Sequence, residues 1–570
     1  MAKKDKNERL SAFESGGQEF KKSARFRDIA LKPVEISAEL PEKDNAGKKL
    51  GLKVSRRFTK PGENVFDTVQ WDKRTTTISD EKGNIISQIT DVEVPTTWTQ
   101  LATDILAYKY LRKAGVPTKE GREVSLKQAV YRIAHTIADF GEKFDYFATN
   151  EDRNSFEDEL THILVTQKAA FNSPVWFNCG LYHQYQIAGS GGSFYWDFEQ
   201  EKVLETKDSY RNPQCSACFI LSVGDSLDEI YNLLKTESRV FKFGSGAGAN
   251  FSKLRSRYER LSGGGTSSGM MSFLRVFDRS ADAVKSGGTT RRAAKMVVVD
   301  MSHPEIEDFI NWKVNEEKKV MALIAAGYPS DFNGEAYHTV SGQNSNNSVR
   351  MTDEFMEATQ NDGEWTTRTV NSGEPYKTYR AKDLMDQVAK AAWQCADPGV
   401  QFDTTANKWH TCPNSGRINA TNPCAEYTFL DDSSCNLASI NLVKFTDDKG
   451  NFDVESYRHA CKVMFIAQEI EVDLSSYPTE VITKNSHDYR PLGLGYANLG
   501  TMLMLKGVPY DSPEALAIAG ALSAILTGHA YKTSSEIAAV KGAFGGFARN
   551  RAPMLNVMKN NGRIKFNVNE

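Results

Sequence analysis

The chain has 570 residues, with 70 Lys and Arg against 73 Asp and Glu, which gives a formal net charge of −3. This balance excludes a protein that holds nucleic acid through bulk positive charge. Apolar residues make up 40% of the chain, enough to bury a substantial core, which excludes a chain that is disordered throughout. The apolar run at 515–526 is too short to span a bilayer, and no apolar stretch follows the charged first residues as a secretory signal requires. We therefore expect a soluble, cytoplasmic protein.

Strands followed by helices are predicted for the first third of the chain. Residues 1–50 are charged and polar, and we expect a mobile tail there. Residues 51–170 form a predicted N-terminal region, in which 51–94 alternates as strands do, with a turn at 82–84, before helical periodicity takes over. That periodicity predicts a helix ending near Gly115, whose common face consists of Leu101, Ile105, Leu106, Tyr108 and Leu111.

An α/β catalytic domain is predicted for residues 171–570, because short β-branched runs alternate with helices there. Residues 295–301 are predicted to be a buried strand, and residues 302–305 form a capping box that is predicted to open the next helix. The apolar face of that helix is predicted to be Ile306, Phe309 and Ile310. Four glycine-rich segments, each typical of either close ligand approach or an ordinary turn, are 189–192, 244–248, 263–265 and 287–288.

Eight cysteines are too few for a secreted disulfide scaffold and direct attention to metal or redox chemistry. Cys215 and Cys218 form a Cys-x-x-Cys pair at the start of an apolar run. Such a pair is compatible with half a zinc site, a local redox pair, or one cysteine that partners a distant thiol. No second pair and no histidines at ligand spacing complete a zinc site, and we expect no metal-ligating residues. The spacing alone leaves the other interpretations open.

The segment from Asn422 to Glu426 is the first candidate for chemistry. Pro423 forbids a regular helix, so we expect Cys424 on an irregular loop between side chains that hydrogen-bond and exchange protons. Glu426 is placed to act as a general base on a substrate held against the thiol, although a buried cysteine in a turn fits the bare pattern too. Cys435 follows in a strand-like run.

Residues 284–295 form a second candidate segment, a loop with two Gly, two Thr and two Arg between a predicted helix and a predicted strand. So many donors suit a phosphate or the edge of a nucleotide. The loop does not fit the Walker pattern, and 244–249 does not fit the dinucleotide fingerprint. Taken alone, the loop is equally typical of a solvated basic turn.

Together and in this order, these segments resemble the large catalytic subunit of ribonucleotide reductases, and most closely its long adenosylcobalamin-dependent class II branch. The resemblance implies a ten-stranded α/β barrel with a finger loop inside it, preceded by a helical N-terminal region. The segments that carry it, between residues 51 and 546, are Arg56-Arg-Phe-Thr-Lys-Pro-Gly, Trp98-Thr-Gln-Leu-Ala-Thr-Asp, Phe171-Asn-Ser-Pro-Val-Trp-Phe-Asn, Gln214-Cys-Ser-Ala-Cys-Phe, Gly224-Asp-Ser-Leu-Asp, the Gly287 loop, Asn422-Pro-Cys-Ala-Glu, Cys435-Asn-Leu-Ala-Ser-Ile-Asn-Leu and Pro491-Leu-Gly-Leu-Gly.

The resemblance also implies catalytic roles. Cys424 corresponds to the residue that becomes a thiyl radical and removes the ribose 3′-hydrogen, with adenosylcobalamin as the cofactor. Glu426 would take the 3′-OH proton while the 2′-OH leaves as water, and Asn422 would hydrogen-bond the sugar. Cys218 and Cys435 correspond to the dithiol that delivers two electrons and closes to a disulfide. The other cysteine of the Cys-x-x-Cys pair would then be a bystander.

Binding residues and partners follow from the same resemblance. The expected partners are a ribonucleotide substrate, deoxynucleoside triphosphate effectors, a thioredoxin- or glutaredoxin-type reductant and a second copy of the chain in a homodimer, with neither nucleic acid nor membrane. The substrate-contacting positions are Ser173, Ala217, Cys218, Gly246, Asn422, Pro423, Cys424, Ala425 and Glu426. The effector positions, in loops within 225–294, are Asp225, Ser226, Leu227, Arg255, Ser286, Gly287, Gly288, Thr289, Thr290, Arg291 and Arg292.

Several parts of the family pattern have no counterpart in the sequence. These are the loop that holds the substrate diphosphate, the C-terminal cysteine tail, the late Tyr-Tyr pair of the diiron class and the N-terminal ATP-cone motif. We therefore expect the N-terminal part of a split or truncated reductase, with a second chain supplying the last barrel strands. The alternatives are a diiron-dependent class I subunit, an inactive regulatory nucleotide-binding remnant, and a zinc-binding structural protein.

Overall fold

A computed structural model describes residues 51–79, 85–284, 293–331 and 334–566. The predicted tail at 1–50, the predicted turn at 82–84 and the predicted effector residues 286–292 lie outside the described residues. The strands are β1 (Trp71–Ser79), β2 (Ile85–Pro95), β3 (Ala169–Phe171), β4 (Ser193–Asp197), β5 (Lys202–Thr206), β6 (Cys218–Leu221), β7 (Gly246–Asn250), β8 (Ala294–Asp300), β9 (Asn346–Met351), β10 (Glu364–Arg368), β11 (Pro375–Arg380), β12 (Gly399–Phe402), β13 (Ser433–Asn441), β14 (Ser476–Tyr477) and β15 (Leu492–Ala497).

Helices connect and cover these strands. They are α1 (Gln100–Ile105), α2 (Leu126–Lys143), α3 (Asn150–Val165), α4 (Ser173–Asn178), α5 (Leu181–Tyr185), α6 (Leu227–Lys242), α7 (Met270–Ala283), α8 (Ile306–Ile310), α9 (Trp312–Ala325), α10 (Glu335–Thr339), α11 (Asp353–Gln360), α12 (Ala381–Cys395), α13 (Asp403–Lys408), α14 (Val454–Leu474), α15 (Glu480–Tyr489), α16 (Leu499–Leu505), α17 (Pro513–Lys541) and α18 (Phe547–Phe566). Short 3₁₀ turns lie at Val65–Thr68 and Leu442–Phe445, and a π-helical turn lies at Leu106–Tyr110. None of the helices in the described ranges is long and apolar enough to cross a membrane.

The central feature is an eight-stranded mixed sheet in the order β12-β9-β8-β7-β6-β13-β15, with β3 also pairing with β13. Strands β6, β7, β8, β9 and β12 are parallel to one another, and β13 pairs with β6 in the antiparallel direction. Parallel strands with helical crossovers confirm the predicted α/β class. The described sheet has eight strands, so the barrel of ten strands stays a prediction.

The two faces of this sheet pack against different parts of the molecule, as the alternating side chains of β8 demonstrate. Val297 and Val299 pack into an apolar core that contains helices α6, α7 and α8. Met296 and Val298 face the other way, into a small cluster that contains Cys218 and Cys435. Because successive strand residues point to opposite faces, the outer residues bury helices and the inner residues form the floor of the thiol site.

Two local predictions were wrong. The helix that begins at Gln100 changes to a π-helical turn after Ile105, and this wider turn alters which residues share a face. As a result Leu106 and Leu111 are buried, whereas Leu101 is 68% exposed and Ile105 is 43% exposed.

The predicted capping box at 302–305 also does not form. Helix α8 begins at Ile306, and Glu305 at its N-cap makes no side-chain cap bond within the helix. Instead the Glu305 Oε2 atom accepts a hydrogen bond of 2.7 Å from the backbone N–H of Met270, because α7 begins nearby and its first amides need acceptors. The predicted strand and the buried face of the helix are confirmed.

Glu159 of α3 fixes the segment before β1 to the helical core. Its carboxylate is fully buried and accepts hydrogen bonds from the backbone N–H groups of Arg57, Phe58 and Thr59 and from His459 Nε2 at 2.7 Å. Burial alone would raise the pKa of Glu159, but the hydrogen bonds, from His459 foremost, outweigh it and lower the pKa to about 2.

A carboxyl whose pKa is lower in the folded state stabilises the fold above its unfolded pKa and loses that contribution as the pH falls. We expect the stability difference between the wild-type chain and Glu159→Gln to shrink by about 2 kcal/mol between pH 7 and pH 3. Urea unfolding of both proteins across this range measures the difference. A difference that does not change with pH would contradict the assignment of the low pKa to Glu159.

Candidate active site

A loop after α13 carries Cys424, and its own hydrogen bonds close it into a tight turn. The side-chain oxygen of Asn422 accepts from the backbone N–H of Tyr427 at 2.9 Å, and the Asn422 carbonyl accepts from the N–H of Ala425 at 3.1 Å. Ala425 has a positive φ of 64°. The residues from Asn422 to Tyr427 therefore form a finger loop of irregular backbone, as Pro423 predicts.

Glycines in the sheet make room for this finger loop. A Cβ atom at Gly248 of β7 would lie 1.9 Å from the carbonyl oxygen of Thr421, and one at Gly246 would lie 2.9 Å from Cγ of Pro423. Both distances are shorter than any real contact, so β7 must be bare of side chains where the loop crosses it. For the glycines at 244–248 the sequence predicts either close approach of a ligand or an ordinary turn. At Gly246 and Gly248 the structure instead shows close approach of the finger loop, and contact with a ligand stays a prediction.

Three polar side chains from two other strands anchor the finger loop and the residues that lead into it. Asn346 of β9 donates to the carbonyl of Pro423 at 2.8 Å, and Gln401 of β12 donates to Thr421 Oγ1 at 3.0 Å. Arg350 of β9, which is buried, donates to the carbonyl of Ile418 at 2.7 Å. Sequence reasoning missed these three residues. The available signal was their polarity within strand-like runs, because a buried polar side chain needs a partner.

Two cysteines face each other below the finger loop. Cys218 of β6 and Cys435 of β13 are direct partners in the antiparallel ladder, which brings their Cβ atoms close enough for a disulfide. They are not bridged in the structure. The Asn422 side-chain amide donates to Cys218 Sγ at 3.0 Å and to Glu426 Oε1 at 2.7 Å, and Cys218 Sγ donates to the same Glu426 oxygen at 3.5 Å.

The two thiols are held in their protonated form. Burial raises the pKa of Cys218 well above its usual range, and the charges of Cys435 and Glu426 add to this effect. Burial likewise raises the pKa of Cys435, with Glu426 again contributing. A protonated dithiol is suited to giving up hydrogen atoms, whereas a thiolate is suited to nucleophilic attack.

Exposure separates the residues of the site into two groups. Cys424, Ala425 and Glu426 are exposed at the tip of the finger loop, while Asn422 and Pro423 are buried behind it. Cys218 and Cys435 are buried below the loop. A molecule that reaches the exposed tip therefore contacts the Cys424 thiol and the Glu426 carboxylate, and the Cys218 and Cys435 thiols lie below that tip.

Cys215 lies apart from this site. It belongs to the apolar core that contains helices α2, α3 and α14, whereas Cys218 belongs to the inner cluster with Cys435. Of the interpretations left open for the Cys-x-x-Cys pair, the geometry favours the one in which Cys218 partners a distant thiol. Within the described ranges no group of three or more His, Cys, Asp or Glu could hold a metal ion, so the zinc alternative gains no support.

The remaining predicted substrate positions lie on or next to strands that carry or adjoin the thiol pair. Ala217 donates its backbone N–H to the Cys435 carbonyl at 3.2 Å, and its own carbonyl accepts from the N–H of Gly246 at 2.7 Å. Ser173 opens α4, next to Asn172, whose N–H bonds to β13 at the Leu437 carbonyl.

Four of the predicted effector positions are described, and they lie together. Arg255 donates from its backbone N–H and from Nε to the two carboxylate oxygens of Asp225, at 2.9 and 2.5 Å. Ser226 caps α6 by accepting from the N–H of Glu229, and the next residue, Leu227, is 64% exposed. The geometry brings these residues to the start of one helix without testing the role predicted for them.

Comparison with known proteins identifies the family. The family model described as "Ribonucleotide reductase, barrel domain" matches residues 216–563, and one described as "Class II vitamin B12-dependent ribonucleotide reductase" matches residues 72–167. A relative named vitamin B12-dependent ribonucleotide reductase from Rhodopirellula baltica is 51% identical over 517 residues, covering 90% of this chain and 50% of the relative.

Relatives of the same name from Streptomyces coelicolor and Agrobacterium fabrum are 45% and 42% identical, and the alignments cover 90% and 91% of this chain. They cover 50% and 49% of those relatives, so the chain spans about half the length of the curated relatives it matches. The barrel-domain match covers more than half of the chain and includes the finger loop and both buried thiols. The chain belongs to the ribonucleotide reductase family.

Proposed function

We propose that this chain carries the catalytic residues of a vitamin B12-dependent ribonucleotide reductase, which converts ribonucleotides to 2′-deoxyribonucleotides. The observation that carries the proposal is the pairing of Cys218 with Cys435 directly below the Asn422–Glu426 side-chain pair. Two protonated thiols lie below a loop tip that exposes a third thiol and a carboxylate, and the Asn422 amide links that carboxylate to Cys218. The thiol pair can supply the two hydrogen atoms that the reduction consumes.

In the proposed sequence, a Cys424 thiyl radical removes the 3′-hydrogen of the ribose. Glu426 takes the proton of the 3′-OH and passes it to the 2′-OH, which leaves as water, while Asn422 hydrogen-bonds the carboxylate and the sugar. This leaves a ketone at C3′ and the radical at C2′. Cys218 and Cys435 then give two hydrogen atoms, one to C2′ and one to the oxygen on C3′, which returns the radical to C3′ and oxidises the pair to a disulfide. Cys424 finally returns a hydrogen atom to C3′ and regenerates its radical.

Adenosylcobalamin is the cofactor that we propose on the basis of the matched family and relatives. When bound, it supplies a carbon-centred radical that takes the hydrogen atom from a thiol. The geometry fits this chemistry because Cys424 is exposed at the loop tip, while Cys218 and Cys435 are shielded from the same reagent. Cys424 is the residue that would face the cofactor. The relatives described above are all named vitamin B12-dependent reductases, which gives the diiron alternative no support.

The further partners that we propose are a ribonucleotide substrate, deoxynucleoside triphosphate effectors near Asp225 and Arg255, a thioredoxin- or glutaredoxin-type reductant, and a homodimeric partner. The ion pair between Asp225 and Arg255 supports the effector assignment, because it presents a guanidinium at the start of α6. Neither nucleic acid nor a membrane is part of the proposal.

The test of this proposal uses the native protein that contains this sequence, with CDP and CTP as substrates, adenosylcobalamin and a dithiol. We expect turnover that falls on the order of 10³-fold in Cys218→Ser and in Cys435→Ser and stays unchanged in Cys215→Ser. Cys215→Ser is the matched control, because it removes the other thiol of the same Cys-x-x-Cys motif.

The disulfide itself is measurable on this chain alone. Mild oxidation followed by peptide mapping should yield a Cys218–Cys435 disulfide, and none in Cys218→Ser. A Cys215–Cys218 disulfide would contradict the proposed pairing. Triphosphate binding without any reduction of CDP or CTP would favour the regulatory-remnant alternative instead.

A further inference from the structure

A cavity of about 880 Å³, which none of the finger-loop residues lines, lies between the segment at 55–57 and helices α14 and α17. Each helix presents one face to it. Residues of α14 that line it recur at the helical spacing of one stripe, as do residues of α17. The residues on these stripes are Glu455, Arg458, His459, Lys462, Ile525, Gly528, His529 and Lys532.

Positive charge dominates the lining. Five of the lining side chains are permanent cations and one is a carboxylate. The cations are Arg56, Arg57, Arg458, Lys462 and Lys532, and the carboxylate is Glu455. A concave surface of one charge sign raises the local concentration of ions of the opposite sign.

Most carboxylates that pair with these cations are not part of the lining. Arg56 contacts Glu151 and Asp158, whereas Lys462 and Lys532 share Glu536, and none of these acids lines the cavity. These acids hold the cationic groups from outside the lining, as Asp453 does for Arg57. Arg458 pairs with Glu455, the one carboxylate in the lining. Guanidinium and ammonium groups held in this way are the usual ligands of phosphate.

One wall of the cavity is also built to accept an organic group. Ala524 and Ile525 contribute an apolar surface, and Gly528 leaves open space, since a Cβ atom there would meet nothing within 4 Å. His459, which lines the cavity from α14, is fixed in orientation by its 2.7 Å hydrogen bond to the buried Glu159. The volume lies within the range of about 300–1,000 Å³ that small-molecule sites occupy.

We propose that this cavity binds an organic polyphosphate, such as a nucleoside triphosphate, with its phosphates against Arg57, Arg458, Lys462 and Lys532 and its organic part along Ile525 and Gly528. The site is separate from the thiol pair and from the Asp225–Arg255 pair, so it does not depend on the function proposed above. It would let a nucleotide act on the N-terminal region, which the segment at 55–57 connects to α14.

Lysine footprinting on this chain tests the proposal. The chain is acetylated briefly in the presence of ATP, inorganic tripolyphosphate or adenosine, and modification is counted by mass spectrometry at each lysine. We expect ATP and tripolyphosphate to lower labelling of Lys462 and Lys532 several-fold and adenosine to have no effect. Lys382 and Lys390, exposed on α12, serve as internal controls whose labelling should not change.

Binding of tripolyphosphate to variants provides the second measurement. Lys462→Gln combined with Lys532→Gln should lose about tenfold in affinity for the site, since charge-assisted hydrogen bonds to phosphate are removed. Lys382→Gln combined with Lys390→Gln is the matched control and should bind as the wild type does. Unchanged labelling of Lys462 and Lys532 at millimolar ATP and tripolyphosphate, or equal affinities in the two double variants, would overturn the proposal.

Discussion

Gly248→Ala is expected to displace the finger loop and to lower ribonucleotide turnover by about 10²-fold or more. The added Cβ would lie 1.9 Å from the carbonyl oxygen of Thr421 and 3.0 Å from Cβ of Met296, so it is confined between the loop and β8. The strand cannot retreat, because β7 is paired on both sides with β6 and β8. The loop must therefore move by more than 1 Å, and Asn422 and Cys424 move with it.

Gly495→Ala provides the matched control for this prediction. Gly495 lies in β15 of the same sheet, and a Cβ atom there would meet nothing within 4 Å. Turnover is measured on the native protein for both variants, together with urea unfolding of each. We expect Gly248→Ala to lose about 1–3 kcal/mol of stability as well, which is typical of overpacking, and Gly495→Ala to lose much less. Equal turnover in the two variants would mean that the loop position does not control the reaction.

The local pattern of the sequence predicted much of what positions this site. A β-branched run predicted β8, and a proline predicted the irregular loop at Cys424. The partner of Cys218 could not be deduced from spacing, because Cys435 follows it by 217 residues and β13 joins β6 only when the sheet is assembled. Only the resemblance to a family implied that pairing.

The missed features share one physical cause. The exposure of Leu101 depends on a π-helical turn that helical periodicity does not register, and the role of Glu305 depends on the start of α7, which lies 35 residues earlier. Arg350 was missed because its partner is the carbonyl of Ile418, in the segment that leads into the finger loop, distant along the chain. In each instance a tertiary contact decided the outcome, and periodicity describes only neighbours along the chain.

Glu237→Gln is expected to destabilise the protein by about 3–5 kcal/mol, because it leaves the ammonium group of Lys295 buried without a counter-ion. Lys295 of β8 and Glu237 of α6 form an ion pair in which both side chains are almost fully buried. The Lys295 ammonium also lies 4.6 Å from the ring centroid of Phe277 and 5.0 Å from that of Phe251. These rings cannot replace the lost carboxylate, since a cation–π contact contributes about 0.5–2 kcal/mol.

The double variant Glu237→Leu with Lys295→Met removes both charges. It therefore separates the loss of stability caused by one unpaired buried charge from the contribution of the ion pair to the free energy of unfolding. Replacing a buried ion pair with apolar residues of similar volume is often neutral, so we expect the double variant to be more stable than Glu237→Gln. Urea unfolding of the single and double variants measures the coupling.

The pair also selects the register of β8. Lys295 points to the helices, and its neighbours Ala294 and Met296 point to Gly246 and Gly248 under the finger loop. A shift of β8 by one residue would place the Lys295 ammonium on the face that holds the thiols, which the ion pair with Glu237 opposes. If the ion pair maintains the register in this way, we expect the double variant to be stable but slower in turnover.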